Sequence, residues 1–119
     1  MTDTTTGRVH HLNLYRKYFE LVTAGSKTTE VRVKYPHLAD LRPGDQIRFH
    51  IKDTDETCVV KIQRVSEYTD FETLLDREGA ATVNPTASRE EQLADIRAIY
   101  PPAKEALGVL AINIELVDG

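Results

Sequence analysis

Gly25-Ser26-Lys27-Thr28-Thr29-Glu30-Val31-Arg32 sets an ammonium, a carboxylate and a guanidinium within six residues, Lys27 to Arg32. The stretch lies where one periodicity gives way to another. Before it, Tyr15 to Ala24 carries Tyr15, Tyr18, Phe19 and Val22 at helical spacing, with Leu21 widening the stripe. Gly25 follows where a helix ends with φ > 0. The spacing predicts a helix there, and its aromatic stripe reads as core rather than as a base-stacking platform. After it, Thr29, Val31 and Val33 alternate with Thr28, Glu30, Arg32 and Lys34, the period-2 pattern of a half-covered strand.

Two readings of that strand stay open. In one, Glu30 and Arg32 lie on a wet face and screen each other, contributing roughly 0–1 kcal/mol. In the other, the polar face lines a cleft. Residues i and i+2 then stand about 7 Å apart on one side of a rigid mount. Arg32 would fix Glu30 as a carboxylate and offer its fork to an anion or carbonyl. Lys27, beside Arg32 or in a dry pocket, would lose its proton more easily and act as base or nucleophile.

Working outward, Arg8 to Leu14 predicts a short first strand. His10 and His11 are neighbours on it and point to opposite faces, so they do not readily chelate one ion. Tyr35 to Leu41 is a connection, and Arg42-Pro43-Gly44-Asp45 is a turn, with Pro43 fixing φ and Gly44 accepting φ > 0. Gln46 to Ile51 alternates with Ile47, Phe49 and Ile51 inward, and His50 reads as a surface histidine. Lys52 to Glu56 is a polar hairpin loop. Thr57 to Val65 resumes as a strand with Cys58, Val60 and Ile62 on one face. Thr69-Asp70-Phe71-Glu72 has the pattern of a capping box before a helix over about 70–77. Glu78 to Thr86 reads as a loop. Ser88-Arg89-Glu90-Glu91 is a second capping box, opening a helix with Leu93, Ile96 and Ile99 on one side. Pro101-Pro102 ends it near Tyr100. Ala103 to Gly108 turns the chain into a last strand, Val109 to Leu116. The order β-α-β-β-β-α-α-β implies an α+β domain around a compact sheet or small barrel.

At 119 residues, with 40% hydrophobic and 29% charged residues, the chain suits one globular domain over 8–119. No apolar run approaches the roughly 18 residues of a transmembrane helix. The opening Met1 to Gly7 lacks a basic region and an apolar one, and reads as a short tail rather than a signal peptide. The lone Cys58 fits a reducing, cytoplasmic setting and excludes a cysteine zinc cage. The histidines, His10, His11, His37 and His50, show no metal-ligand spacing, so no metal or other cofactor is expected. A net charge of −4 gives no global field for a long polyanion, so a DNA duplex and a membrane are not expected partners.

The residues Gly25-x-Lys27-x-x-Glu30-x-Arg32, entered from an amphipathic helix and followed by Pro43-Gly44-Asp45-x-Ile47-x-Phe49, resemble the signature of the ASCH domain, a PUA-like family. Phe71-Glu72-Thr73-Leu74-Leu75 and Lys104-Glu105-Ala106-Leu107-Gly108-Val109-Leu110-Ala111-Ile112 extend the resemblance over about 9–116. It implies a small PUA-like β-barrel of about five strands, with a helix after the first strand and a two-helix insert before the last. It also implies a cleft for RNA or a modified nucleoside. Similar members include N4-acetylcytidine amidohydrolases and a ribonuclease. The amidohydrolases carry threonine at the Glu30 position and a glutamate in the loop before the last helix. That loop position falls near Pro85 here, with Glu78 the nearest upstream carboxylate.

Carried over by position, Lys27, Glu30 and Arg32 are the candidate site residues, with Lys27 and Glu30 as the catalytic pair and Arg32 as a substrate contact. Thr28 and Lys34 on the same polar stretch and Tyr100 at the helix end are further candidate substrate contacts. A hydrolase would use Lys27 as base or nucleophile, Glu30 as proton shuttle and Arg32 at the oxyanion. A binding module would use Arg32 and Lys34 on phosphate, Lys27 and Glu30 on a base edge, and Tyr100 as a stacking surface. The expected partner is single-stranded RNA or a nucleoside; oligomeric state is not legible.

Overall fold

The computed structural model describes residues 7–118. The expected tail, Gly7 apart, lies outside the described residues. Five strands form one sheet in the order β1-β3-β4-β5-β2. They are β1 (Val9–Asn13), β2 (Thr29–Val33), β3 (Gln46–His50), β4 (Thr57–Tyr68) and β5 (Val109–Asp118). β1 runs parallel to β3, and the other pairings are antiparallel. Register shifts at Val59/Val60 and Ile62/Arg64 bend the long β4, as bulges do. The sheet curls into the five-strand half-barrel of the PUA-like fold, with β1 and β2 as its edges.

Two bodies of side chains hold it. The inner face gathers Leu12, Ile47, Phe49, Val60, Ile62, Leu110 and Ile112, plugged by Phe19 and Val22 of α1 (Arg16–Thr23). The outer face of β2 and β5 presents Val33, Val109 and Ala111 to the helical insert. That insert comprises α2 (Phe71–Glu78), α3 (Ala80–Val83), α4 (Arg89–Ile99) and α5 (Pro102–Glu105). Phe71, Leu74, Leu75, Val83 and Leu93 meet the sheet there. β5 is therefore covered on both faces, with Val109 to Ile112 all buried.

Local signals mostly set the element ends. Gly25 has φ 77° at the close of α1, and Gly44 has φ 93° in the turn before β3. The Asp45 carboxylate accepts from Arg8 N, Arg42 N and His10 Nε2, tying that turn to β1. The Ser88 side chain accepts from Glu91 N while Glu91 returns to Ser88 N, a complete capping box. Ser88→Ala is expected to cost about 1 kcal/mol in urea unfolding.

Three expectations shift. Asp70, not Thr69, caps α2: its extended backbone lets the carboxylate accept from Thr73 N at 2.7 Å. The expected loop over 78–86 contains α3, and α5 overlaps the turn expected over 103–108. Both are single turns of helix, too short to leave a periodic stripe. β4 runs three residues past Val65, because the bulge resets its phase against β5.

Candidate functional site at the open edge of the half-barrel

Glu30 and Arg32 pair across to Ile112 and Leu110, so they project to the inner face of the curl. The opposite face of β2 is covered by the insert. This removes the wet-face reading: Glu30 is only 4% exposed. The polar face of β2 instead borders a cavity of about 340 Å³ at the sheet's open edge.

Lys27, Glu30 and Arg32 meet there as one chain of charges. Lys27 Nζ lies 3.3 Å from Glu30 Oε1, and Arg32 Nε donates to Glu30 Oε2 at 2.7 Å. Lys27 Nζ also donates to Thr29 O at 2.8 Å and Val83 O at 3.0 Å. It thereby joins the free edge of β2 to the end of α3. Arg32 Nη2 reaches across the opening to Asn13 O at the end of β1, 2.6 Å away. Both oxygens of Glu30 and all three ammonium hydrogens of Lys27 are engaged, while Arg32 uses two of its five N–H groups.

The electrostatics follow from this enclosure. Burial pushes the Lys27 amine below the usual lysine range, against the pull of the Glu30 charge. Burial works to raise the Glu30 carboxyl, but Arg32 and then Lys27 outweigh it and hold it below the usual range. Burial would lower Arg32, and Glu30 more than offsets it. Glu30 is the one carboxylate among the described residues lining the cavity, against Lys27, Arg32 and the exposed Lys52. The site thus carries an excess of positive charge, suited to a carbonyl oxygen or an anion.

The walls are largely apolar. Leu14, Tyr15 and Tyr18 stand on the β1–α1 side, and Val83, Ile96, Ile99 and Tyr100 on the insert side. The stripe of α1 therefore divides. Phe19 and Val22 are core, the half-buried Tyr18 packs against them and also lines the cavity, and Tyr15, 63% exposed, serves the cavity alone. The reading of the whole stripe as core is corrected on this point, because the half-barrel leaves that end of α1 uncovered. Lys27 Nζ sits 5.5 Å from the Tyr18 ring centre, within cation–π range. Burial raises the Tyr100 phenol against the pull of Arg32.

Two candidates fall elsewhere. Lys34 Nζ pairs with Glu67 Oε1 at 2.9 Å on the surface, outside the cavity. Thr28 is exposed and lines a second cleft with Gly25, Arg64 and Asn113. Glu78 is also spent away from Lys27, engaging Tyr68 Oη, Arg64 Nη2 and Asn113 Nδ2. The loop before α4 supplies Asn84 to the cavity rather than a carboxylate.

Sequence reasoning missed Asn13, Lys52, Asn84 and Gln92 as lining residues. Only Gln92 left a signal: it sits four residues before Ile96 on α4, a polar residue at helical spacing with an apolar stripe. His50 lies at the surface as expected, its Nε2 2.9 Å from His11 Nδ1 across the β1–β3 pair in an exposed contact. Among the described residues, no three of His, Cys, Asp and Glu converge on a space for a metal ion. Nor is any described helix long and apolar enough to cross a membrane.

The ASCH domain family matches residues 12–118. The chain belongs to that family. The crystal structure of the hypothetical protein PH0355 is similar to this ASCH domain at 31% identity and TM-score 0.83, covering 92% of this chain and 99% of that one. Protein PF0455 from Pyrococcus furiosus is similar at 28% identity and TM-score 0.75, covering 93% and 99%. The ASCH protein from Zymomonas mobilis shares the fold at 14% identity and TM-score 0.67, covering 91% and 67%. No curated protein matches the chain.

Proposed function

We propose that this ASCH domain binds a modified nucleoside in the edge cavity and hydrolyses an amide on its base, with N4-acetylcytidine as the model substrate. The observation that carries this reading is Lys27: a lysine 4% exposed, with its basicity lowered by burial, at a cavity of about 340 Å³. Perturbed groups of this kind gather where chemistry is done. The volume lies at the small-ligand end of binding sites, and the aromatic walls offer faces to a base.

The chemistry runs through the neutral amine. Lys27 Nζ takes a proton from water as the water oxygen bonds to the amide carbon. The carbonyl π electrons move to oxygen, where Arg32 stabilises the charge with its uncommitted N–H groups. The Lys27 ammonium then returns the proton to the departing nitrogen as the C–N bond breaks. The products are a carboxylic acid and the free base amine. Glu30 stays ionised throughout and orients Lys27 and Arg32. This replaces its expected role as proton shuttle, because the Arg32 charge beside it holds it as a carboxylate even while Lys27 is neutral.

The acid limb of kcat/KM against pH tests this assignment. Activity should rise as Lys27 deprotonates, with a midpoint below that of an ordinary lysine. An acid limb set by a group at ordinary carboxylate values would remove Lys27 as the base.

One observation favours a second reading. All three ammonium hydrogens of Lys27 have acceptors, the arrangement of a structural cation in a binding module for single-stranded RNA or a nucleotide. A nucleoside that binds but is never consumed, by the wild type or by Lys27→Ala, would establish that alternative.

A further inference from the structure

We propose that Asn84 holds the leaving group of the substrate, donating from Nδ2 to the acceptor nitrogen of the base ring beside the scissile amide. The inference rests on the nucleoside reading above and adds to it a residue that touches the base.

Asn84 is 5% exposed and lines the cavity from the loop between α3 and α4. Its backbone is pinned from several sides. Asn84 N donates to Ala80 O at 3.0 Å, and Asn84 O accepts from Gln92 Nε2 at 2.9 Å. The carbonyl just before it, Val83 O, accepts from Lys27 Nζ at 3.0 Å. The side chain is fixed as well. The Thr86 backbone N–H, 2.9 Å away, requires an acceptor, so the atom facing it is Oδ1 and the other is Nδ2.

Nδ2 has no hydrogen-bond acceptor among the described residues, yet it is not sealed in. The unpartnered side-chain atoms that are fully enclosed are Gln92 Oε1 and Asn113 Oδ1. Nδ2 therefore keeps an open face, and on so buried a residue that face is the cavity's. Asn13 and Lys52 on the same lining are exposed and turn freely to water. Asn84 is instead a preorganised donor, held in place before any ligand arrives.

Its place relative to Lys27 indicates which part of the ligand it meets. Arg32 stands on β2 and reaches to the end of β1, whereas Asn84 stands on the insert. Lys27 lies between them, paired with Glu30 on one side and held by Val83 O on the other. An amide whose carbonyl oxygen turns to Arg32 thus turns its nitrogen, and the base beyond it, toward Asn84. In N4-acetylcytidine the ring nitrogen N3 stands next to the carbon that bears N4, and its lone pair is free. As the C–N bond breaks, the electron pair passes to N4 and spreads onto N3, where a fixed donor stabilises the charge as it develops. The Lys27 proton still goes to N4. An amine conjugated to a ring acceptor leaves with this help, and a simple alkylamine leaves without it.

The test compares N4-acetylcytidine with its 3-deaza analogue, which carries C–H in place of N3, as competing ligands of the wild-type protein. The analogue should bind roughly 10–100-fold more weakly, because Nδ2 then stays unpaired in a dry site. Asn84→Ser keeps an acceptor for Thr86 N and removes the Nδ2 donor, so the two ligands should bind it within about twofold of each other. Should Asn84→Ser fail to fold, Asn84→Asp, which sets an oxygen in place of Nδ2, should likewise lose the preference; should both fail, the wild-type comparison decides alone. Equal binding of the two ligands by the wild type, or a preference that survives in a folded variant, overturns the role of Asn84 and leaves the nucleoside reading standing. Binding of neither ligand by the wild type overturns both.

Discussion

Glu30→Ala is expected to lower the free energy of unfolding by about 3–5 kcal/mol. The carboxylate is buried between two cations, and both of its oxygens are occupied. Removing it leaves Arg32 charged beside an apolar space, with Lys27 still held by two backbone carbonyls. Lys27 can shed its proton in response, but Arg32 cannot. Glu30→Gln keeps the shape and one acceptor, so it should cost less than the alanine variant.

The same contact has a pH signature. The folded-state Glu30 carboxyl is depressed below its ordinary value. Its contribution is therefore complete above the unfolded carboxylate pKa and is lost as pH falls through the folded one. Lys27 has the opposite profile. Its depressed pKa means that the folded state binds the proton less readily, so that part of the stability grows as pH rises toward the ordinary lysine value. Urea unfolding from neutral pH down to about pH 3 checks the first effect. The acid-side loss should be shallower in Glu30→Gln than in the wild type. Identical slopes would mean that Glu30 is not held as a carboxylate in the fold.

Lys27→Met is expected to reduce turnover by about 10²–10⁴ while the protein remains folded. Methionine fills the stem of the lysine and removes the only base proposed for the water. Lys27→Arg separates charge from chemistry: it restores a cation beside Glu30 but does not deprotonate near neutral pH. Both variants should therefore be inactive, with Lys27→Arg closer to wild-type nucleoside affinity. An active Lys27→Arg would show that the residue supplies charge alone.

The sheet was legible because its strands alternate cleanly. Gln46 to Ile51 and Thr57 to Ile62 bury the residues that the period-2 pattern assigns inward. The site was legible in part, since Lys27, Glu30 and Arg32 lie within one turn and strand and need no long-range information to be found together. Their burial was not legible. It depends on α3 bringing Val83 O to Lys27 and on the gap between β1 and β2 that Arg32 closes at Asn13 O. Alternation shows which residues share a face, but not whether a second layer covers that face. Thr28 and Lys34 were grouped with the site by strand phase alone. Thr28 precedes β2, and Lys34 lies beyond its other end, paired with Glu67 of β4. Gln92 and Asn84 came from a segment distant in sequence, which only the packing of α3 and α4 against the β2 edge brings to Lys27.

The measurement that tests the central claim most directly is mass-spectrometric product analysis of N4-acetylcytidine incubated with the wild-type protein, beside Lys27→Arg and a short single-stranded RNA as competing substrate. The account predicts cytidine and acetate from the wild type alone, with the RNA intact. Unchanged N4-acetylcytidine, or cleavage of the RNA instead, would contradict it.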